Sequence, residues 1–171
     1  MPMLIVMSGL PGTGKSELAR ELGRRLRIPV FSVDPIESAV LQAGIEQSFE
    51  TGLAAYLVAE ALADAQLALG LDAIVDAVNA EEPGKAMWRN LAIKHEVPLR
   101  IIECHCSDEA LHRERVTKRV RGLANLPEPT WESVQRRRLA YTPWSEPVLS
   151  IDAASAREPN LRRVLAWLAR G

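Results

Sequence analysis

Mostly apolar short runs alternate along the chain with longer segments in which apolar residues recur every three or four positions. The runs Met3–Ser8, Ile28–Val33, Leu71–Val78, Leu99–Cys106 and Val148–Ile151 have the pattern of strands covered on both faces. Between them, Leu18, Leu22 and Leu26 predict a first helix, and Ala39 to Ile45 a short one that stops at Gly44. Ser48 is placed to cap a long helix rich in Ala and Leu that runs to about Leu69 and ends at Gly70. A helix follows from Pro83 and Gly84 to Glu96, with Met87, Leu91 and Ile93 as apolar contacts and Trp88 in the core. Ser107 is a natural cap for the next, beginning at Asp108, and Thr130 for one from Trp131 to Tyr141; Leu161, Val164, Leu165 and Leu168 mark the last. Strand alternating with helix throughout predicts an α/β fold of three layers, a parallel sheet with helices on both faces.

The first strand-to-helix junction holds Gly9-Leu10-Pro11-Gly12-Thr13-Gly14-Lys15-Ser16, which fits the P-loop pattern G-x-x-x-x-G-K-[ST] at every fixed position. The three glycines free the backbone so that successive N–H groups converge on a β-phosphate, and the positive end of the following helix adds to this. Lys15 is placed to reach the β- and γ-phosphates, and the Ser16 hydroxyl to ligate the magnesium ion that bridges them. The expected ligands are therefore a nucleoside triphosphate and Mg2+.

Asp34 ends the second strand run and Pro35 follows it, which admits two compatible readings. One is a helix N-cap with proline at the first helical position. The other is a carboxylate beside the γ-phosphate that accepts the proton of a substrate hydroxyl, since strand ends converge on the ligand in such sheets. Ala73-Ile-Val-Asp76 has the form of a short Walker B segment, so Asp76 is a candidate to hold magnesium through water; an aspartate satisfied by local backbone donors is the alternative. Asn79, at the same sheet edge, is a candidate substrate contact. Further on, Arg115, Lys118 and Arg119 are expected on one helix face and Val116, Val120 and Leu123 on another. Gly122 to Pro129 then reads as a lid, about residues 120–130, that brings Arg115 or Arg119 to the transferring phosphoryl group, unless that face is only solvated surface. Arg136-Arg137-Arg138 reads more simply as wetted surface than as an acidic-substrate site, and the Asp152–Glu158 loop is expected beside an adenine.

Composition narrows the classes without choosing among acceptors. The 171 residues suit one domain spanning 1–171, and 47% apolar with 25% charged residues is ordinary for a globular chain. No apolar run reaches membrane-spanning length and no secretory signal is evident, so a cytoplasmic protein, monomer or homodimer, is expected. A net charge of −1 gives no global attraction to nucleic acid. Both cysteines fall in Cys104-His105-Cys106, too close for a routine disulfide; a zinc site there would need help from His95 or His112, so small strand residues are the simpler reading.

The glycine loop, Asp34 after strand two, Ile74-Val-Asp76 at strand three and Leu111-x-x-x-Arg115-x-x-x-Arg119 before a short lid together resemble the small AAA-domain-like P-loop kinases, over nearly the whole chain. That group includes chloramphenicol phosphotransferase, gluconate kinase and the kinase domain of polynucleotide kinase. The resemblance implies a five-stranded parallel sheet in order 2-3-1-4-5, ATP with magnesium, transfer of the γ-phosphate to a hydroxyl, and Asp34 as the base. Polynucleotide kinases carry an arginine three positions after that aspartate where this chain has Glu37, whose charge would repel a nucleic acid phosphate. The leading expectation is thus a phosphotransferase acting on a small hydroxylated molecule. Alternatives are a nucleoside, nucleotide or polynucleotide kinase, and a non-enzymatic nucleotide switch, for which an effector domain or long tail would be expected.

Overall fold

Five parallel strands form one sheet in the order β2-β3-β1-β4-β5, described here from a computed structural model that covers residues 1–170. The strands are β1 (Leu4–Ser8), β2 (Val30–Ser32), β3 (Ala73–Asp76), β4 (Leu99–His105) and β5 (Val148–Asp152). The helices are α1 (Lys15–Leu26), α2 (Val33–Gln42), α3 (Phe49–Ala68), α4 (Glu82–Lys94), α5 (Glu109–Lys118), α6 (Trp131–Ala140) and α7 (Arg157–Leu168). β1 lies at the centre, with Ile5 opposite Ile74 of β3 and Arg100 of β4, and every residue of it is buried.

The alternation of side chains along β1 divides the core in two. Leu4 and Val6 face one layer with Ala55, Ala59, Ala63 and Leu67 of α3 and Trp88, Leu91 and Ala92 of α4. Ile5 and Met7 face the other with Leu18, Ala19 and Leu22 of α1 and Leu161, Val164 and Leu168 of α7. Alanines at every fourth position let α3 lie close to the sheet, and burial of these apolar stripes, at roughly 25 cal/mol per Å2, is what holds helices to strands. Ser48 and Thr51 close a reciprocal capping box at the start of α3. No described helix is long and apolar enough to cross a membrane.

Two helix starts differ from those the pattern predicts in ways that bear on the site. The helix expected over Ala39 to Ile45 begins six residues earlier, at Val33, with Ser32 as its N-cap. Proline lacks an N–H but the first turn has no partner for one, so Pro35 sits inside that turn, and Asp34 is a first-turn residue rather than the cap. The cap of α5 is Asp108, whose carboxylate accepts the Leu111 N–H at 2.9 Å; Ser107 instead donates its backbone N–H and its hydroxyl to Asp152.

Candidate active site

The glycine loop hangs from the central strand between β1 and α1. Gly9 has φ 139°, and a Cβ there would fall 2.2 Å from the Cys104 carbonyl oxygen, so only glycine lets the chain leave β1 against β4. The Gly9 N–H donates to the Val78 carbonyl, and the Thr13 hydroxyl donates to the Leu10 carbonyl at 2.7 Å, closing the loop on itself. At Gly12 (φ 83°) a Cβ would meet Val116 of α5 at 2.6 Å, so the loop rests directly on that helix.

Lys15 begins α1 with its side chain turned inward, 5% exposed, its Nζ 3.8 Å from Asp76 Oδ1. Asp76, 4% exposed, accepts a hydrogen bond from the Ser32 hydroxyl on Oδ2 at 3.1 Å, while Oδ1 is buried without any hydrogen-bond partner. A buried carboxylate oxygen is normally satisfied, and one left open beside a lysine suits a hydrated cation. Hard oxygen donors are what magnesium takes, so Asp76 and the neighbouring Ser16 fit that ion.

Asp34 lies in the first turn of α2, where the helix dipole favours its charge. Its Oδ2 is bound at 2.7 Å by Arg121, which also pairs with Glu128 at 2.9 Å. Arg121 is absent from the sequence expectations. Those continue the α5 face through Arg119, yet the helix ends at Lys118 and Arg119 is already extended (φ −69°, ψ 133°). With the helix ended, Arg119 and Arg121 both line the cleft, and Val120 between them, expected on the apolar face, also borders it and is 86% exposed. Burial, and next the adjacent Arg121, hold the Arg119 guanidinium below its ordinary range. Arg115 also lines the cleft, with its guanidinium donating to the Ala153 carbonyl at 2.8 Å, and Lys118 pairs with Glu114.

The segment between α5 and α6, where a lid is expected, is irregular throughout. It is fastened to α2, for the Ser38 hydroxyl donates to the Ala124 carbonyl at 2.7 Å and Leu126 is buried. Beneath it the glycine loop, Asp34 and Asp76 share one cleft of about 680 Å3. Seven cations line it (Lys15, Arg20, Arg115, Lys118, Arg119, Arg121, Arg157) against three carboxylates (Glu17, Asp34, Asp76), so a chain of net charge −1 carries a locally cationic groove. Such a groove attracts polyanions. The segment expected beside an adenine contributes Ala153 and Ser155 of the β5–α7 loop and Arg157 of α7 to its wall.

Asn79 stands apart from this arrangement. It is 1% exposed, its amide donates to the Met7 carbonyl at 2.9 Å and accepts from the Trp88 indole at 2.8 Å, and it does not line the cleft. The structure thus places this candidate substrate contact inside the fold, with φ 52° and both ends of its amide engaged. The Cys104 thiol is buried and pushed up to about 12, and no cluster of three or more metal-ligating groups occurs among the described residues.

A 2-3-1-4-5 parallel sheet with a lysine-bearing glycine loop after its central strand, a carboxylate after β2 and arginines before a short cover is the fold of the small P-loop kinases. More narrowly, the family described as AAA domain matches residues 4–140, and the chain belongs to it. A protein of Chloroflexus aurantiacus provisionally described as a kinase shares 22% identity at TM-score 0.78, over 99% of this chain and 97% of that one. A gluconokinase from Sinorhizobium meliloti shares 18% at TM-score 0.72, over 99% and 93%. Chaetomium thermophilum Kti12, in complex with ADP-AlF3, shares 20% at TM-score 0.71, over 98% and 97%. At such identities the likeness is one of fold. No curated protein matches by sequence.

Proposed function

We propose that the protein is a phosphotransferase that moves the γ-phosphoryl group of ATP to a hydroxyl of a small molecule. The observation that carries this reading is the meeting in one cationic cleft of the glycine loop, Lys15, the open oxygen of Asp76 and the Asp34 carboxylate. Lys15 neutralises charge on the β- and γ-phosphates, and the loop N–H groups hold them in place. Ser16 and Asp76 would hold the magnesium ion, which when bound offsets further phosphate charge. Asp34 takes the proton of the acceptor hydroxyl as that oxygen bonds to the γ-phosphorus and the bond to the β–γ bridging oxygen breaks, releasing ADP. Arg121 must first give up Asp34. It then stands with Arg119 where negative charge develops, so one movement both frees the base and delivers a cation. The cover over the cleft keeps water from competing with the acceptor.

The acceptor in this reading is a small polyhydroxylated molecule without a phosphate near its reacting hydroxyl. Glu37 lies one turn after Asp34, and burial, with Asp34 second, raises its carboxyl above the ordinary value. A second phosphate there would meet two carboxylates. The setting is taken to be cytoplasmic, where ATP is at hand. The test is an ATP-dependent screen of alcohols, sugars, sugar acids, aminoglycosides, nucleosides and 5′-hydroxyl oligonucleotides. Transfer to small polyols supports the reading, transfer to oligonucleotides alone replaces the acceptor class, and binding of ATP without transfer to any acceptor makes the protein a switch.

A further inference from the structure

His112 is 1% exposed and sits between the glycine loop and α6. Its Nε2 lies 2.7 Å from the Pro11 carbonyl oxygen, and its Nδ1 lies 3.1 Å from an Arg138 guanidinium nitrogen. Guanidinium has only donors, so Nδ1 must offer a lone pair; the ring is then neutral, with its proton on Nε2 and donated to Pro11. The edge of the ring meets Trp131 at 5.3 Å between centroids and 88° between planes, and the Arg138 guanidinium lies over the same indole at 5.5 Å. Three contacts from two elements thus fix one imidazole in one tautomer and orientation. Through His112 and Val116, which a Cβ on Gly12 would meet at 3.1 and 2.6 Å, α5 grips the Pro11–Gly12 peptide from one side.

A trans peptide is planar, so its C=O and the following N–H point in opposite directions. Fixing the Pro11 carbonyl on α5 turns the Gly12 N–H away from that helix, and Gly12 lines the cleft. We propose that His112 is a positioning residue for the phosphate loop: held by Arg138 as the Nε2–H tautomer, it sets the Pro11–Gly12 peptide so that the Gly12 N–H is aimed at a bound phosphate. This rests on the nucleotide-binding reading above. It gives Arg138, part of a run that reads from sequence as wetted surface, a place in the site's support.

Acid should loosen this device. The groups facing the imidazole are Arg138 of α6 and Arg115 and Glu109 of its own helix, besides the Pro11 carbonyl; burial, before any of them, depresses its pKa below the ordinary 6.5. A base with a depressed folded pKa is neutral above the unfolded value, and the grip is intact there; it is lost as pH falls through the folded value, when Nδ1–H confronts Arg138. MgADP affinity of the intact protein, measured by calorimetry from pH 5 to 8, tests the proposal alongside 15N spectra of the His112 ring.

His112→Leu should bind MgADP about tenfold more weakly at pH 7, the weight of one neutral hydrogen bond. His112→Gln, which keeps an N–H donor, should recover most of that affinity and lack the acid-side loss seen in the wild type. Arg138→Gln removes a neighbouring cation and should move the His112 titration to higher pH. Wild-type affinity and pH profile in a folded His112→Leu, or a ring protonated on Nδ1 at pH 7, would overturn the proposal while leaving nucleotide binding standing. If His112→Leu does not fold, an unmoved titration in Arg138→Gln overturns it equally. A wild-type protein without affinity for MgADP overturns the nucleotide reading and this proposal with it.

Discussion

Replacing Lys15 by Met should separate the two tasks its ammonium performs. The Lys15 and Asp76 side chains are 5% and 4% exposed and 3.8 Å apart, an attraction of about 4 kcal/mol at an effective dielectric of 20. Removing one partner strands the other charge, and since both line a cleft that water can enter, a cost near the lower end for broken buried pairs applies, about 3 kcal/mol. For a chain of this size that lowers Tm by roughly 6–12 °C. Asp76→Asn should cost a similar amount for the mirror-image reason. The double variant Lys15→Met/Asp76→Asn has no stranded charge and should be no less stable than either single, about 3 kcal/mol below wild type rather than the additive value of about 6, a coupling of about 3 kcal/mol. Nucleotide binding should behave differently: either variant lacking Lys15 loses charge-assisted bonds to two phosphates and binds MgATP about 100-fold more weakly, with no recovery in the double. Thermal unfolding and calorimetry on the four proteins read both quantities. Additive stability losses, or a double variant that binds MgATP as the wild type does, would refute the reasoning.

Asp34→Asn should lower transfer to the acceptor by about 10²-fold or more while MgATP affinity holds, at about 1 kcal/mol in stability for the lost Arg121 pair and dipole contact; turnover near wild type would send the search for the base to Asp76. Arg119→Ala should reduce turnover by about 10²-fold but affinity far less, because its charge counts most when charge develops; equal effects on both would make it a binding residue only. Chelating magnesium should weaken ATP binding at least about tenfold, and Asp76→Asn should blunt that dependence; calorimetry showing equal affinity with and without the ion would contradict the role given to the open Asp76 oxygen.

The elements that run on hydrophobic period are legible in the sequence: five strands, the stripes that bury them and the glycine loop between the first strand and helix. What it hides are the places where the period stops. Nothing in Lys118-Arg-Val-Arg121 announces that helix gives way to extended chain at Arg119, since arginine and valine are tolerated in both; the partner of Asp34 stays hidden for that reason. Asn79 reads as a candidate contact because a polar residue at a strand end looks alike in sequence whether its side chain turns out to a ligand or, as in the structure, back under the sheet. His112 and Arg138, 26 positions apart, meet only because α5 and α6 pack together, a contact that no local spacing encodes.

The position of β1 in the sheet divides the molecule's tolerance for change. Its amides and carbonyls are paired on both sides, with β3 and β4, so the strand that carries the glycine loop opens only when the whole domain does, and its amide protons should be among the slowest to exchange. β2 is an edge strand of three half-buried residues, and α2, proposed here to line the acceptor, follows from it. A substitution at an exposed position of that rim leaves the core in place, whereas one beside β1 disturbs both of its layers. Inheritance can therefore rewrite the acceptor side by small steps while the nucleotide side stays as it was, one route by which a single scaffold would come to serve many alcohols.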